Sequence, residues 1–135
     1  MNRTLPRHAY WPLDYGWSQR GGPWSELTDV MLIAQTQGDE GTAQALADWV
    51  ARQGSEPAEV DGCVRDVFYA GGVRGYLDKT DAGATLYLHS HGEDAFDSLS
   101  HYSRQIAKLV QSRGGMPLTW TEARHDRADH QLSWP

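Results

Sequence analysis

Hydrophobic positions along this chain fall into short blocks separated by glycine-rich or acidic turns, and the spacing inside each block predicts its local structure. In "DVMLIAQT", residues 29–36, Val30, Leu32 and Ala34 alternate with Met31 and Ile33, which are also apolar. So short a run, apolar on both faces and bounded by Asp29 and a "QGDEG" turn, predicts a central strand that needs cover on both sides. "DEGTAQALADWVARQG" then sets Ala43, Leu46, Ala47 and Val50 at helical spacing, with acids at its start, Arg52 near its end and a terminating Gly54. Charges placed that way complement the helix dipole, and the glycine suits a left-handed cap. "SEPAEVDG" reads as a loop.

The stretch "CVRDVFYAGGVRGYLDKTDAGATLYLHSH" carries two turn signals, Gly71-Gly72 and Asp81-Ala82-Gly83. It predicts an internal hairpin, as two strands with a bulge or as three short strands. "EDAFDSLSHYSRQIAKLVQSRGG" is the longest helical pattern, with Phe96, Leu99, Tyr102, Ile106, Leu109 and Val110 on one stripe, Asp94 as its cap and Gly114-Gly115 as its stop. "MPLTWTEAR" is a last strand, with Leu118 and Trp120 on one face. The element order predicts an α+β fold, the ferredoxin-like βαββαβ plait: an antiparallel sheet with two helices on one face. Residues 26–124 form that domain and 125–135 a charged C-terminal tail. Residues 1–25 form an irregular N-terminal arm broken by prolines and glycines and anchored by aromatics such as Trp11, Trp17 and Trp24. Such an arm is expected to pack on the domain and cover the second sheet face; a second copy of the chain is the other candidate.

Charge changes the picture of what this frame could do. Eighteen acidic residues against twelve basic ones give a net charge of −6, and the arginines are dispersed. No nucleic-acid partner is expected, because phosphate binding needs clustered cations; a protein with a basic surface is. No run reaches the length of a membrane span, and "MNRTLPRHAYWPLDYGW" lacks the apolar core of a secretory signal, so no membrane association is expected. A single cysteine, Cys63, read as a buried inert thiol, fits a reducing, cytoplasmic setting.

The densest candidate chemistry lies in "LYLHSHGEDAFDSLSHY". Strand alternation puts Thr85, Tyr87, His89 and His91 on one face and Leu86 and Leu88 on the other. Two imidazoles so placed can share a metal ion, with His101 and Asp94 as further ligands. The preferred reading is plainer: the histidines stand on a half-solvated sheet face, Gly92 ends the strand and Asp94 caps the next helix, with no cofactor. Tyr87, His89, His91 and Glu93, together with Trp11, Trp17 and Trp24, would then belong to a protein-binding surface.

The segment resembles the JAMM metalloproteases, in which a strand ends in His-x-His and Ser-x-x-Asp follows at the start of a helix. His89 and His91 match the two histidine ligands. Leu99 stands where that family has serine, Ser98 comes one place early, and His101 stands three beyond Ser98 in place of the aspartate. What the resemblance implies is a zinc-dependent hydrolase using His89-Ser90-His91. Separately, the frame ending in "LVQSRGGMPLTW" is similar to that of the bacterial regulator of ribonuclease E activity B family, small acidic proteins that bind an enzyme; the closing residues of that family are not matched. The sequence therefore leads to a small acidic protein-binding module, an inhibitor, immunity protein or regulator without catalysis. The alternatives are the zinc hydrolase, or a dimeric small-ligand-binding plait that pairs as a homodimer through its open sheet face.

Overall fold

The computed structural model describes residues 2–8, 28–37, 39–60, 62–81, 83–91, 95–115 and 118–126. In chain order the elements are β1 (Asn2–His8), β2 (Thr28–Gln37), α1 (Glu40–Arg52), β3 (Glu56–Val60), β4 (Cys63–Ala70), β5 (Val73–Thr80), β6 (Gly83–His91), α2 (Ala95–Ser112) and β7 (Leu118–Asp126). Turn chemistry lays out the middle of the chain. Val60 faces Cys63, Ala70 faces Val73, and Thr80 faces Gly83. Each pair of strands from β3 to β6 is thus joined by a two-residue loop. At the middle loop Gly71 and Gly72 have φ of 48° and 83°. Both angles are left-handed, as a tight hairpin turn following the strand twist demands and only glycine supplies without strain.

The described strands form one seven-stranded sheet in the order β1-β7-β2-β6-β5-β4-β3, with every pairing antiparallel. The fold is α+β with an antiparallel sheet and two helices, but the expected four-stranded plait does not describe it: the sheet is larger and its overall order differs. Two misread segments account for this. "SEPAEVDG" looks like a loop because Pro57 and the acids are poor strand formers, yet Glu56–Val60 gains its ladder from β4. Asn2–His8, placed in the irregular arm, pairs with the outer side of β7, which would otherwise leave a row of backbone donors and acceptors unmatched. Its register slips between Thr4 and Arg7, around Pro6, which has no N–H to give. Residues 9–27, the rest of the expected arm with Trp11, Trp17 and Trp24, lie outside the described residues, as do residues 127–135 of the expected tail. Residue 125, where that tail was to begin, is still in β7.

Both helices lie on one face of the sheet. Val30, Leu32, Ala34, Leu86, Leu88, Leu118 and Trp120 share one core with Leu46, Trp49, Leu99, Ile106 and Val110 from the helices. Trp49 of α1 meets Phe68 of β4 edge to face at 5.2 Å and Tyr102 of α2 at 5.9 Å. Its Nε1–H donates to Gln105 of α2 at 3.3 Å, so one side chain ties both helices to the sheet and keeps its polar atom satisfied. The Asp39 carboxylate caps α1, accepting from the Gly41 N–H at 3.1 Å and from the Thr42 hydroxyl. At the far end Arg113, just past α2, donates to Asp48 of α1. Glu122 of β7 is the only charged residue fully buried among the described residues, opposite Leu32 in β2 and Arg3 in β1.

Candidate functional site

The candidate surface is the sheet face turned away from the helices. It carries the odd-numbered positions of β6, because Ala84, Leu86, Leu88 and Ser90 are all buried on the helix side. Tyr87 faces Ile33 in β2 and Tyr76 in β5. The two tyrosine rings stack at 4.6 Å, and the Arg65 guanidinium lies 5.2 Å from the centroid of Tyr76. Arg65 also meets the Asp78 carboxylate at 3.6 Å and donates to the Val60 carbonyl at 2.9 Å. Burial opposes the Arg65 charge, but Asp78 and then Tyr76 outweigh it and hold the guanidinium above its ordinary value. Burial, with Asp78 adding to it and Arg65 opposing, pushes the Tyr87 phenol up. With Val60 and Val67 these tyrosines form a second, smaller apolar cluster.

Sequence alternation placed the histidine motif correctly on this face as far as it is described: Tyr87 and His89 are half-buried while Leu86 and Leu88 are fully buried. His89 faces Met31 and Arg74. Ser90 turns to the helix side, where its hydroxyl donates to the Gly72 carbonyl at 2.9 Å. His101 is not brought to His89. It is exposed on α2, on the opposite side of the sheet, with its ring beside Gln105 and Tyr102. Asp94 and Glu93 lie outside the described residues, and His91 is placed at the end of β6 opposite Asp29. Among the described side chains no group of three or more metal-binding residues converges.

Sequence reasoning missed the β3–β4 hairpin, although Asp61-Gly62 between apolar residues is a strong hairpin signal. Its outer strand is exposed at Glu56, Pro57, Ala58 and Glu59. On β4, Val64 and Tyr69 are 74% and 70% exposed, the large hydrophobic side chains most open to water among the described residues. Alternation sets them on opposite faces, so they are two contact points and not one patch. Glu59 stands opposite Val64 and Asp66 follows two places on, which surrounds that valine with carboxylates. Beside Tyr69 a half-open groove of about 450 Å³ is lined by Gly54, Glu56, Pro57, Ala58 and Val67. Cys63, expected to be buried and inert, is exposed at the start of β4, because the edge hairpin extends past the cover of the helices.

Both outer strands of the sheet carry a proline, Pro57 in β3 and Pro6 in β1. Prolines at an edge interrupt the row of donors that another strand would need, so side chains and not sheet extension offer the contacts here. Met31 and Tyr76, on the second face, are only 4% and 1% exposed within the single chain. The centre of that face is therefore already covered. No helix among the described residues is long and apolar enough to cross a membrane. No protein-family model matches the chain, and no curated protein and no solved structure is significantly similar to it.

Proposed function

We propose that this chain is a small acidic protein-binding module that acts without catalysis, as an inhibitor, immunity protein or regulator of another protein, in a reducing cytoplasm. The observation that carries the reading is the exposure of Val64 and Tyr69 on a hairpin whose residues 56–66 contain Glu56, Glu59, Asp61 and Asp66 against the single cation Arg65. An exposed aliphatic or aromatic side chain framed by carboxylates suits a partner with a basic rim around an apolar pocket: the charges speed encounter and the apolar anchor supplies affinity. The position of the element in the frame supports the reading: the β3–β4 hairpin forms one edge of the sheet, outside β5.

The test uses the full chain immobilised through a lysine, with extract of its native host. A stoichiometric basic protein retained by the wild type, and lost when Val64→Asp and Tyr69→Ala are combined, is the expected result. The reading fails if the double variant retains the same protein, or if the wild type retains none.

A further inference from the structure

We propose that the groove beside Tyr69, at the β3–β4 edge of the sheet, is a recognition site for an arginine side chain presented by a partner protein. The proposal rests on the protein-binding reading and assigns the chemistry of one of its two contact points. Alternation along β4 puts Val67 and Tyr69 on the face turned away from the helices. Glu56 of β3 stands directly opposite Val67, and so diagonally from Tyr69 on that same face. At about 450 Å³ the groove has the scale of a small-ligand site, with room for one long side chain and not for a domain. Val67, 8% exposed, gives it an apolar base, and Gly54 and Ala58 bring no bulk to fill it.

Arginine matches this lining better than other side chains do. Its planar guanidinium stacks on an aromatic face, donates to a carboxylate, and gives up water more readily than a lysine ammonium. Tyr69 offers an exposed ring and Glu56 an exposed carboxylate. Among the described residues no ring stacks on Tyr69 and no cation pairs with Glu56. Arg65, on the same face, is already engaged by Asp78 and the Val60 carbonyl. Arg74 stands on the β5 side of Tyr69, outside the groove lining. The surrounding charge agrees: Glu59 and Asp66 of the same hairpin add to Glu56, so the field at this edge draws a cation and repels an acidic side chain.

Titration of isotope-labelled full-length protein with the blocked peptide acetyl-Gly-Arg-Gly-amide at low salt, followed through amide chemical shifts, tests the proposal. Shifts are expected at residues 54–58 and 67–69. Citrulline, a neutral isostere, in place of the peptide's arginine should weaken binding at least about threefold, as should Glu56→Gln and Tyr69→Leu in the protein. Both residues are exposed, and the same spectra show that each variant is folded. Asp97→Asn, which removes an equal charge from α2 across the sheet, should bind as the wild type does. Lysine in the peptide should bind more weakly than arginine; equal binding overturns the assignment to arginine. The proposal also fails if no shifts occur, if they centre on Val64 and Asp66, if the citrulline peptide binds equally, or if Glu56→Gln and Tyr69→Leu bind unchanged. Failure of the wider reading looks different: the peptide binds as expected, yet the wild type retains no protein from host extract.

Discussion

Replacing Gly75 by alanine should destabilise the protein, although glycine-to-alanine changes in strands ordinarily help by about 0.5–1 kcal/mol. Gly75 is buried in β5 between Phe68 of β4 and Leu88 of β6. A Cβ there would lie 2.7 and 2.8 Å from two carbons of the Phe68 ring and closer still to the Tyr87 carbonyl oxygen. The ring cannot retreat freely, because it packs edge to face on Trp49 at 5.2 Å. The carbonyl belongs to the backbone of β6, so easing that contact means moving a strand. Because the closest clash is with backbone, the cost falls at the upper end of the about 1–3 kcal/mol typical of overpacking, and after subtracting the entropic gain a net loss of about 2 kcal/mol follows. Urea unfolding followed by tryptophan fluorescence should show the midpoint lowered by about 1 M with an unchanged slope, at a typical slope of about 2 kcal/mol per M. Gly62→Ala separates packing from backbone conformation: its Cβ would meet nothing within 4 Å, and only its φ of 81° resists the change. That variant should lose about 1 kcal/mol. A Gly75→Ala midpoint equal to or above that of the wild type would refute the reasoning.

Three further outcomes follow from contacts already described. Asp39→Ala removes the acceptor of the Gly41 N–H and of the Thr42 hydroxyl, and should cost about 1 kcal/mol in urea unfolding, whereas Asp39→Asn should restore most of it. The Asp48 carboxyl is held below its ordinary 3.8 first by the hydrogen bond from Arg113 and then by that from Gln44. A lowered folded-state pKa gives stability that is present above the unfolded value and lost as pH falls through the folded one. Wild type should therefore be more stable than Asp48→Asn at pH 7, and the difference should close on acidification through the carboxylate range. Tyr87, raised chiefly by burial, should ionise later than an exposed tyrosine in an ultraviolet titration. Its contribution to stability is full below the ordinary value of 10.0 and declines as pH rises through the folded value; unfolding curves of wild type and Tyr87→Phe should converge there.

Local pattern and turn chemistry sufficed for much of this molecule. Strand β2 could be read from its apolar run, both helices from their spacing and the glycines that stop them, and the two faces of β6 from simple alternation, since each of these signals lies within a few residues of the element it defines. The glycine pair at 71–72 likewise declared its turn, because only glycine fits two successive left-handed residues. Edge strands were not legible. Glu56–Val60 and Asn2–His8 have weak strand character of their own and are strands because β4 and β7 offer unpaired ladders.

The candidate sites divide in the same way. The sequence alone revealed that histidines cluster at residues 89–101 and that the chain is acidic, because those are facts of composition and order. Tertiary structure decided which residues share a face: it set His101 across the sheet from His89, stacked Tyr87 on Tyr76, and left Val64 and Tyr69 in water. The physical reason is that strand pairing is a long-range choice, made by backbone hydrogen bonding and burial over the whole sheet, and no window of the sequence contains it.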